Sequence, residues 1–341
     1  MSVIGSMVRG WRGRKPASAE PPAGCLKVRV AAVRDEARGI RSFELVAMDG
    51  RPLPAFGAGA HVEVHIARGL VRPYSLCCDP HQRSHYRIAV KRAAPSHGGS
   101  VAMHERVRAG DELVISEPRN HFPLDARARH HVLVGAGIGI TPLLAMAHEL
   151  RRAARPFTLH YFAHSAQHAA FLPELAHPAF ENKVQLHLEL SREDLQRRLE
   201  RALRMRAQDW HLHLCGPEGF MQSALGISNA DWPAQAIHLE RFHADARALA
   251  GSREPFQVRL EQSGRVVPVS ARQSIIEALE RHGIEIMTSC REGVCGTCAT
   301  RVVAGECDHR DSFLSRAERA RGDCIMPCVS RSRGAELVLD L

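Results

Sequence analysis

Four cysteines near the end of the chain, Cys290, Cys295, Cys298 and Cys328, carry the strongest chemical signal in the sequence. Their order, Cys-x4-Cys-x2-Cys with a fourth cysteine after 29 residues, is the plant-type spacing for a [2Fe–2S] cluster. Thiolates around such a core hold excess negative charge, which backbone N–H groups must meet. Gly293 and Gly296 let the loop curl and bring those amides close to sulfur. Structural zinc competes for the same residue types, but it usually takes two short C-x2–4-C hooks. Cys324 would supply a hook with Cys328 and would leave Cys290 spare. Cys307 and Cys324 read as packing residues, and either is a rival for the fourth ligand. Six of the ten cysteines lie between 290 and 328, and no continuous apolar run precedes them at the N-terminus. A thiolate cluster is therefore expected rather than a disulfide framework, in a cytoplasmic protein.

A second group of residues suits phosphate-bearing cofactors. Arg72-Pro73-Tyr74-Ser75-Leu76 sets a cation, an aromatic ring and a hydroxyl on neighbouring positions after an alternating strand. Ala89-Val90-Lys91-Arg92 follows, then Gly98-Gly99-Ser100 at the head of a helix-like stretch, where glycine amides make a ready anion site. Farther on, Val132–Val134 runs into Gly135-Ala136-Gly137-Ile138-Gly139-Ile140-Thr141-Pro142. This is not G-x-G-x-x-G, because Ile140 takes the sixth position. It still offers a tight turn, close backbone approach and a proline in the first helical turn. Cys215-Gly216-Pro217 repeats the strand-to-helix theme. Two such turns on one sheet edge favour a dinucleotide.

The elements that must position these residues fall into three blocks. Leu26 to about Pro123 alternates apolar and polar residues in short runs, such as Val62, Val64 and Ile66 against Glu63 and His65, separated by Gly, Pro and Asp. That pattern predicts a small antiparallel β-barrel over 25–124. The block 125–245 alternates strands (131–134, 157–162, 184–190, 211–214, 237–239) with helices (142–153, 192–206, 218–225). This order predicts an α/β doubly wound parallel sheet that binds ligands where its strands end. Residues 246–254 read as a linker. The block 255–341 opens with a hairpin and a helix, then carries the cysteine loop and two further strands. Residues 1–24 form a basic extension of net charge +3.

Composition narrows the function classes. The net charge is +9, yet residues 255–341 carry as many acidic as basic side chains, and aromatics are only 5%. Charge spread in this way does not make a nucleic-acid stripe. No apolar run approaches the ~18 residues of a membrane span. Histidine pairs such as His130-His131 and His211-x-His213 read as strand surface rather than metal ligands.

With these strings on the page, the sequence from Cys25 to Leu341 resembles the phthalate dioxygenase reductase family, the single-chain reductases of aromatic-ring oxygenases and O-demethylases. The resemblance also rests on Asp308–Asp311, Cys328–Arg331 and the ending Leu337–Leu341. It implies an FMN barrel, an NAD domain and a C-terminal β-grasp ferredoxin, with FMN, NADH and a [2Fe–2S] cluster as cofactors. It further implies Arg72 and Gly98, Gly99 and Ser100 at the flavin phosphate, Tyr74 beside the ring and Ser75 at its N5. Ala89, Val90 and Lys91 would line the ribityl chain. Gly135, Gly137 and Gly139 with Cys215, Gly216 and Pro217 would hold the dinucleotide, and Thr141 and Phe242 would stand on the nicotinamide path. Hydride transfer needs no acid or base, so no catalytic side chain is expected. The implied partner is a terminal oxygenase of the Rieske type, served by a monomeric reductase. A haem or diiron monooxygenase as acceptor, and a redox-sensing module without turnover, remain the alternatives.

Overall fold

The computed structural model describes residues 24–67, 69–93, 98–242 and 254–341. Most of the basic extension, His97 and nearly all of the linker lie outside them. The first block is a six-stranded antiparallel sheet of β1 (Cys25–Ala37), β2 (Ile40–Ala47), β3 (His61–Ala67), β4 (Leu70–Ser75), β5 (Tyr86–Lys91) and β6 (Glu112–Ser116), in the order β4-β3-β6-β1-β2-β5. A bridge between Leu76 and Ile88 joins its two edges and closes the barrel. Alternation puts Val28, Val30, Phe43, Leu45, Val62, Val64 and Ile88 inside. Helix Gly99–Arg106 caps one end.

The second block is a parallel sheet of β7 (His130–Ala136), β8 (Phe157–Ala163), β9 (Val184–Leu188), β10 (Trp210–Cys215) and β11 (Ile237–Glu240), ordered β11-β10-β7-β8-β9. The order reverses between β7 and β10, the crevice where doubly wound sheets take ligands. Helix Ile140–Arg152 is buried along much of its length against β7 and β8, and its core runs on into the barrel through Ile40, Ala58, Cys77 and Ala89. A Cβ on Gly59 would lie 1.9 Å from the Phe122 carbonyl oxygen, so only glycine allows that approach. The Arg87–Glu174 ion pair at 2.9 Å and the Ala58 N–H donated to Glu149 at 3.1 Å tie the two blocks together.

The third block forms a mixed sheet in which β12 (Phe256–Leu260) pairs with β13 (Val266–Val269) as the expected hairpin, and lies parallel to the last strand, Glu336–Leu339. Helix Ile275–Arg281 starts with a reciprocal cap between Ser274 and Glu277 and buries Ile275, Ala278 and Leu279 against the sheet, while Ile276 faces the cysteine loop. This is the β-grasp arrangement. Helix Glu218–Asp231 runs six residues past its expected end, and a short helix, Arg316–Arg321, was not foreseen. Among the described residues no helix is long and apolar enough to cross a membrane.

Candidate functional site: three regions around one barrel

The cysteine loop places all four expected ligands together. Cys298 Sγ stands 3.4 Å from Cys328 Sγ, and Cys290 shares a hydrogen bond with Cys295, so the ligands meet as two pairs. The partner thiols hold Cys295 down to about 6 and lower Cys298 as well. Amides aim at sulfur as the charge requires: Glu292 N–H donates to Cys290 Sγ at 3.3 Å, and the backbone at Val294, Thr297 and Gly293 serves Cys290, Cys295 and Cys328 in turn. Gly293 and Gly296 have φ of +70° and +75°, the left-handed region. A Cβ on Gly296 would meet the Phe313 ring at 2.2 Å, and one on Gly293 would meet Val329 at 2.5 Å. Four convergent thiolates ringed by amides fit a [2Fe–2S] core. Cys307 is instead packed in the sheet core and Cys324 pairs in the short strand Cys324–Ile325 opposite Arg301.

Asp311 explains why the string Asp308–Asp311 belongs to this loop. Its buried carboxylate accepts N–H bonds from Phe313 (3.1 Å) and Leu314 (2.8 Å) and faces the Ser330 hydroxyl at 3.3 Å. It thereby joins the strand of chain before Cys324 to the one after Cys328.

The barrel supplies the second region. Arg72 in β4 lies directly over the start of helix Gly99–Arg106, where a Cβ on Gly99 would sit 2.6 Å from Arg72 Cγ. Gly98 has φ +89°, and Ser100 Oγ accepts the Ala93 N–H at 3.1 Å. A guanidinium crossing a glycine-opened helix N-terminus is an arrangement that could cradle a phosphate. Tyr74 packs half-buried on the barrel core, and burial raises its phenol above the ordinary range. Ala89 and Val90 are buried in β5 and Lys91 is exposed.

The third region is the sheet crevice. Gly139 presses against the Cys215 turn so closely that a Cβ would lie 2.2 Å from the Cys215 carbonyl oxygen. Gly216 in return backs onto Ala136, whose Cβ a new Cβ would meet at 3.2 Å. The two strand-to-helix turns are thus interlocked backbone to backbone. Gly137 takes φ +56°, and Gly135 lies under Leu143. Thr141 donates its hydroxyl to the Ile138 carbonyl at 2.9 Å, stapling the glycine loop. Phe242 is half-buried on the core shared with the barrel.

One residue in this region was missed by the sequence reading. Glu240, the last residue of β11, accepts a hydrogen bond from Ser75 Oγ at 3.3 Å and lies 4.0 Å from Cys215 Sγ. Burial raises its carboxyl to about 8, with the Ser75 hydroxyl opposing. Burial and Glu240 together raise the Cys215 thiol. Ser75, Cys215 and Glu240 come from the barrel and from two strands of the parallel sheet. Only the position of Glu240 at a parallel-strand end hinted at it. Glu240 holds its proton in the native fold between its unfolded value of 4.5 and about 8. The stability it contributes is therefore fully present below about 4.5 and lost as pH rises through about 8. The wild type should lose on the order of 2 kcal/mol across that window, solvent screening included, relative to Glu240→Gln. Thermal unfolding of both proteins at several pH values checks this. A constant difference between them contradicts it.

The cluster loop also touches the barrel. Thr297, between two cysteine ligands, donates its hydroxyl to the buried Glu63 carboxylate in β3, and Arg119 lies 3.6 Å from that carboxylate. The Phe313 ring meets His121 edge-on at 4.8 Å.

Known proteins match this chain both in parts and over nearly its whole length. A family model described as the 2Fe-2S iron-sulfur cluster binding domain matches residues 258–333, and one described as the N-terminal domain of dimethylamine monooxygenase subunit DmmA-like proteins matches 114–237. The tert-butanol monooxygenase / tert-amyl alcohol desaturase reductase subunit of Aquincola tertiaricarbonis is 42% identical over 94% of this chain and 97% of its own. Vanillate O-demethylase oxidoreductase of a Pseudomonas strain is 43% identical over 93% of this chain and 100% of its own. The solved structure of phthalate dioxygenase reductase, described as modular for electron transfer from pyridine nucleotides to [2Fe-2S], superposes with a TM-score of 0.71 at 39% identity, covering 93% of this chain and 98% of the other.

Proposed function

The chain belongs to the phthalate dioxygenase reductase family, and from that premise we propose that it carries electrons from NADH through FMN and a [2Fe–2S] cluster to a terminal oxygenase of the Rieske type. The observation that carries this reading is the meeting of a phosphate cradle, a dinucleotide crevice and a four-cysteine loop around one barrel. When bound, a flavin takes two electrons as hydride and returns them singly, which is what joins a nicotinamide to a one-electron cluster.

The chain's own residues do the positioning. Arg72 with Gly98, Gly99 and Ser100 would hold the flavin phosphate, and Ala89, Val90 and Lys91 would run beside the ribityl chain. Ser75 Oγ would donate toward the ring nitrogen, with Tyr74 flanking the ring. Glu240 shares the Ser75 hydroxyl and keeps a proton on its carboxyl at neutral pH. Gly135, Gly137, Gly139, Thr141, Cys215, Gly216 and Pro217 would seat the dinucleotide, with Phe242 closing the approach. The bond from Thr297 to Glu63 fixes the cysteine loop on the barrel side of the path. The protein works as a monomer in the cytoplasm. Incubation with NADH and an oxidised Rieske oxygenase component tests the partner. The Rieske absorption should bleach at catalytic reductase concentration, and reduction of a haem monooxygenase with no Rieske bleaching overturns the assignment.

NADH should be preferred to NADPH. A 2′-phosphate needs a fixed cation, usually just after the second strand of the sheet, here β8. From Pro156 to Asn182 there is neither Lys nor Arg, and His168 there is engaged with Ser165 Oγ at 2.8 Å. Outside that window, Arg192 and Arg197 line a cavity with Gly219 and Phe220. Steady-state ferricyanide reduction with each cofactor should give at least about tenfold higher kcat/KM for NADH, the scale of one lost charge-assisted contact. A higher value for NADPH that falls in Arg192→Ala contradicts the preference and identifies the cation.

A further inference from the structure

Four imidazoles stand on one face of the parallel sheet, toward the strand ends opposite Cys215 and Glu240. In register His131 pairs with His211, and His213 with His238, so His131, His211, His213 and His238 all project to the same side. The His238 ring lies nearly parallel to those of His211 and His213, at 5.1 and 4.5 Å. His211 Nδ1 is 2.9 Å from His238 Nε2 and 3.7 Å from Asp125 Oδ2. One ligand atom from each of Asp125, His211 and His238 lies within 4.8 Å of the other two.

We propose that Asp125, His211 and His238 form a second metal site, for one divalent transition cation of the Zn2+ class, held by two imidazole nitrogens and a carboxylate with solvent completing the shell. The donor set decides the class. Two imidazoles and one carboxylate suit zinc and its neighbours, whereas magnesium and calcium take oxygen alone. The two separations that His211 makes agree. Bonds of about 2.0–2.2 Å around a tetrahedral ion separate its ligand atoms by roughly 3.3–3.5 Å. The separations of 2.9 and 3.7 Å bracket that span, so shifts of a few tenths of an ångström bring both into range.

The site is also held in place before any ion arrives. Both histidines sit on adjacent strands of one sheet. Asp125 is fixed by the Arg127 N–H donated to Oδ1 at 2.8 Å, and Arg155 grips the loop through the carbonyls of Asp125, Ala126 and Ala128 at 2.8–3.2 Å. Binding therefore costs little chain ordering. The Arg127 guanidinium sits 2.7 Å from Asp125 Oδ2, but its side chain is 81% exposed and can turn to solvent when the ion takes its place. Asp125 and His238 are partly buried and the His211 side chain keeps 11% of its surface exposed, which leaves the ion a way in. The site lies about 13 Å along β10 from Cys215, at ~3.3 Å per residue, and so does not compete with the dinucleotide crevice. An ion there would clamp the segment entering the sheet to β10 and β11.

Untagged holoprotein, confirmed to hold about two irons per chain so that its thiolates are occupied, is stripped with a chelator and dialysed against zinc chloride. Elemental analysis should then find about one zinc per chain in the wild type, released competitively by the chelator. His238→Gln and, independently, Asp125→Asn should each weaken retention by about tenfold or more, since the loss of a ligand's outer hydrogen-bond partner alone costs about that much. Iron content and NADH-driven ferricyanide reduction should stay at wild-type levels, which shows that both variants fold. Asp125→Asn is in a loop and tests the site even where the strand substitution fails to fold. A wild type that takes up no zinc overturns the proposal, as does zinc retention equal to wild type in both variants.

Discussion

Cys328→Ser should abolish NADH-driven reduction of cytochrome c, by about 100-fold or more, while NADH still bleaches the flavin. A serine oxygen is a hard, weakly acidic donor in a place that needs a soft thiolate. Its neighbour Cys298, 3.4 Å away, would lose its partner across the pair. The cluster should be absent from the purified variant, whose iron falls from about two per chain toward zero. The rest of the chain should survive, because Cys328 lies in a small apolar group beside Ile276 and Met326, away from the barrel and crevice cores. Cys324→Ser is the matched control. That residue pairs in a short strand, so its substitution should leave iron and cytochrome c reduction near wild type. Loss of the cluster in Cys324→Ser with retention in Cys328→Ser reverses the ligand assignment.

Arg72→Ala should release flavin. Its side chain crosses Gly99 at the head of helix Gly99–Arg106 within contact distance. A charge-assisted contact to phosphate of about 1.5–3 kcal/mol corresponds to a roughly 10–150-fold rise in the FMN dissociation constant. Fluorescence titration of apoprotein with FMN reads this directly. An unchanged constant removes Arg72 from the cradle. Stoichiometric FAD released by heat from wild-type protein contradicts the cofactor itself. Arg72→Lys should recover part of the loss, since lysine keeps the charge but not the planar fork.

Much of this arrangement was legible in the residues, and for definable reasons. The spacing singles out Cys290, Cys295 and Cys298 on one loop whose curl requires Gly293 and Gly296, while it left Cys307 and Cys324 as rivals to Cys328. The two glycine turns at Gly135–Gly139 and Cys215–Pro217 are local strand-to-helix junctions, and their interlocking follows from adjacent strands. Alternation in Val62, Val64 and Ile66 betrayed the barrel. What stayed hidden is what only tertiary structure creates. Glu240 looked like an ordinary charged strand end, because its partners Ser75 and Cys215 are 165 and 25 residues away in sequence. The Thr297–Glu63 bond joins residues 234 apart. The histidines of β7, β10 and β11 read as strand surface because period-2 alternation says which residues share a side, not that register will stack four imidazoles and bring Asp125 beside them. Helix Arg316–Arg321 has a clear capping box at Ser315 and Glu318, but it buries too little apolar surface to show a helical period.

The account's central claim is that one chain connects a two-electron donor to a one-electron acceptor through two centres of its own. Anaerobic titration of the holoprotein with NADH, followed at flavin and cluster absorption together, tests it most directly. Full reduction should consume about 1.5 NADH per chain, two electrons held on the flavin and one on the cluster. An end point at about one NADH, with the flavin bleached and the cluster still oxidised, contradicts the connection.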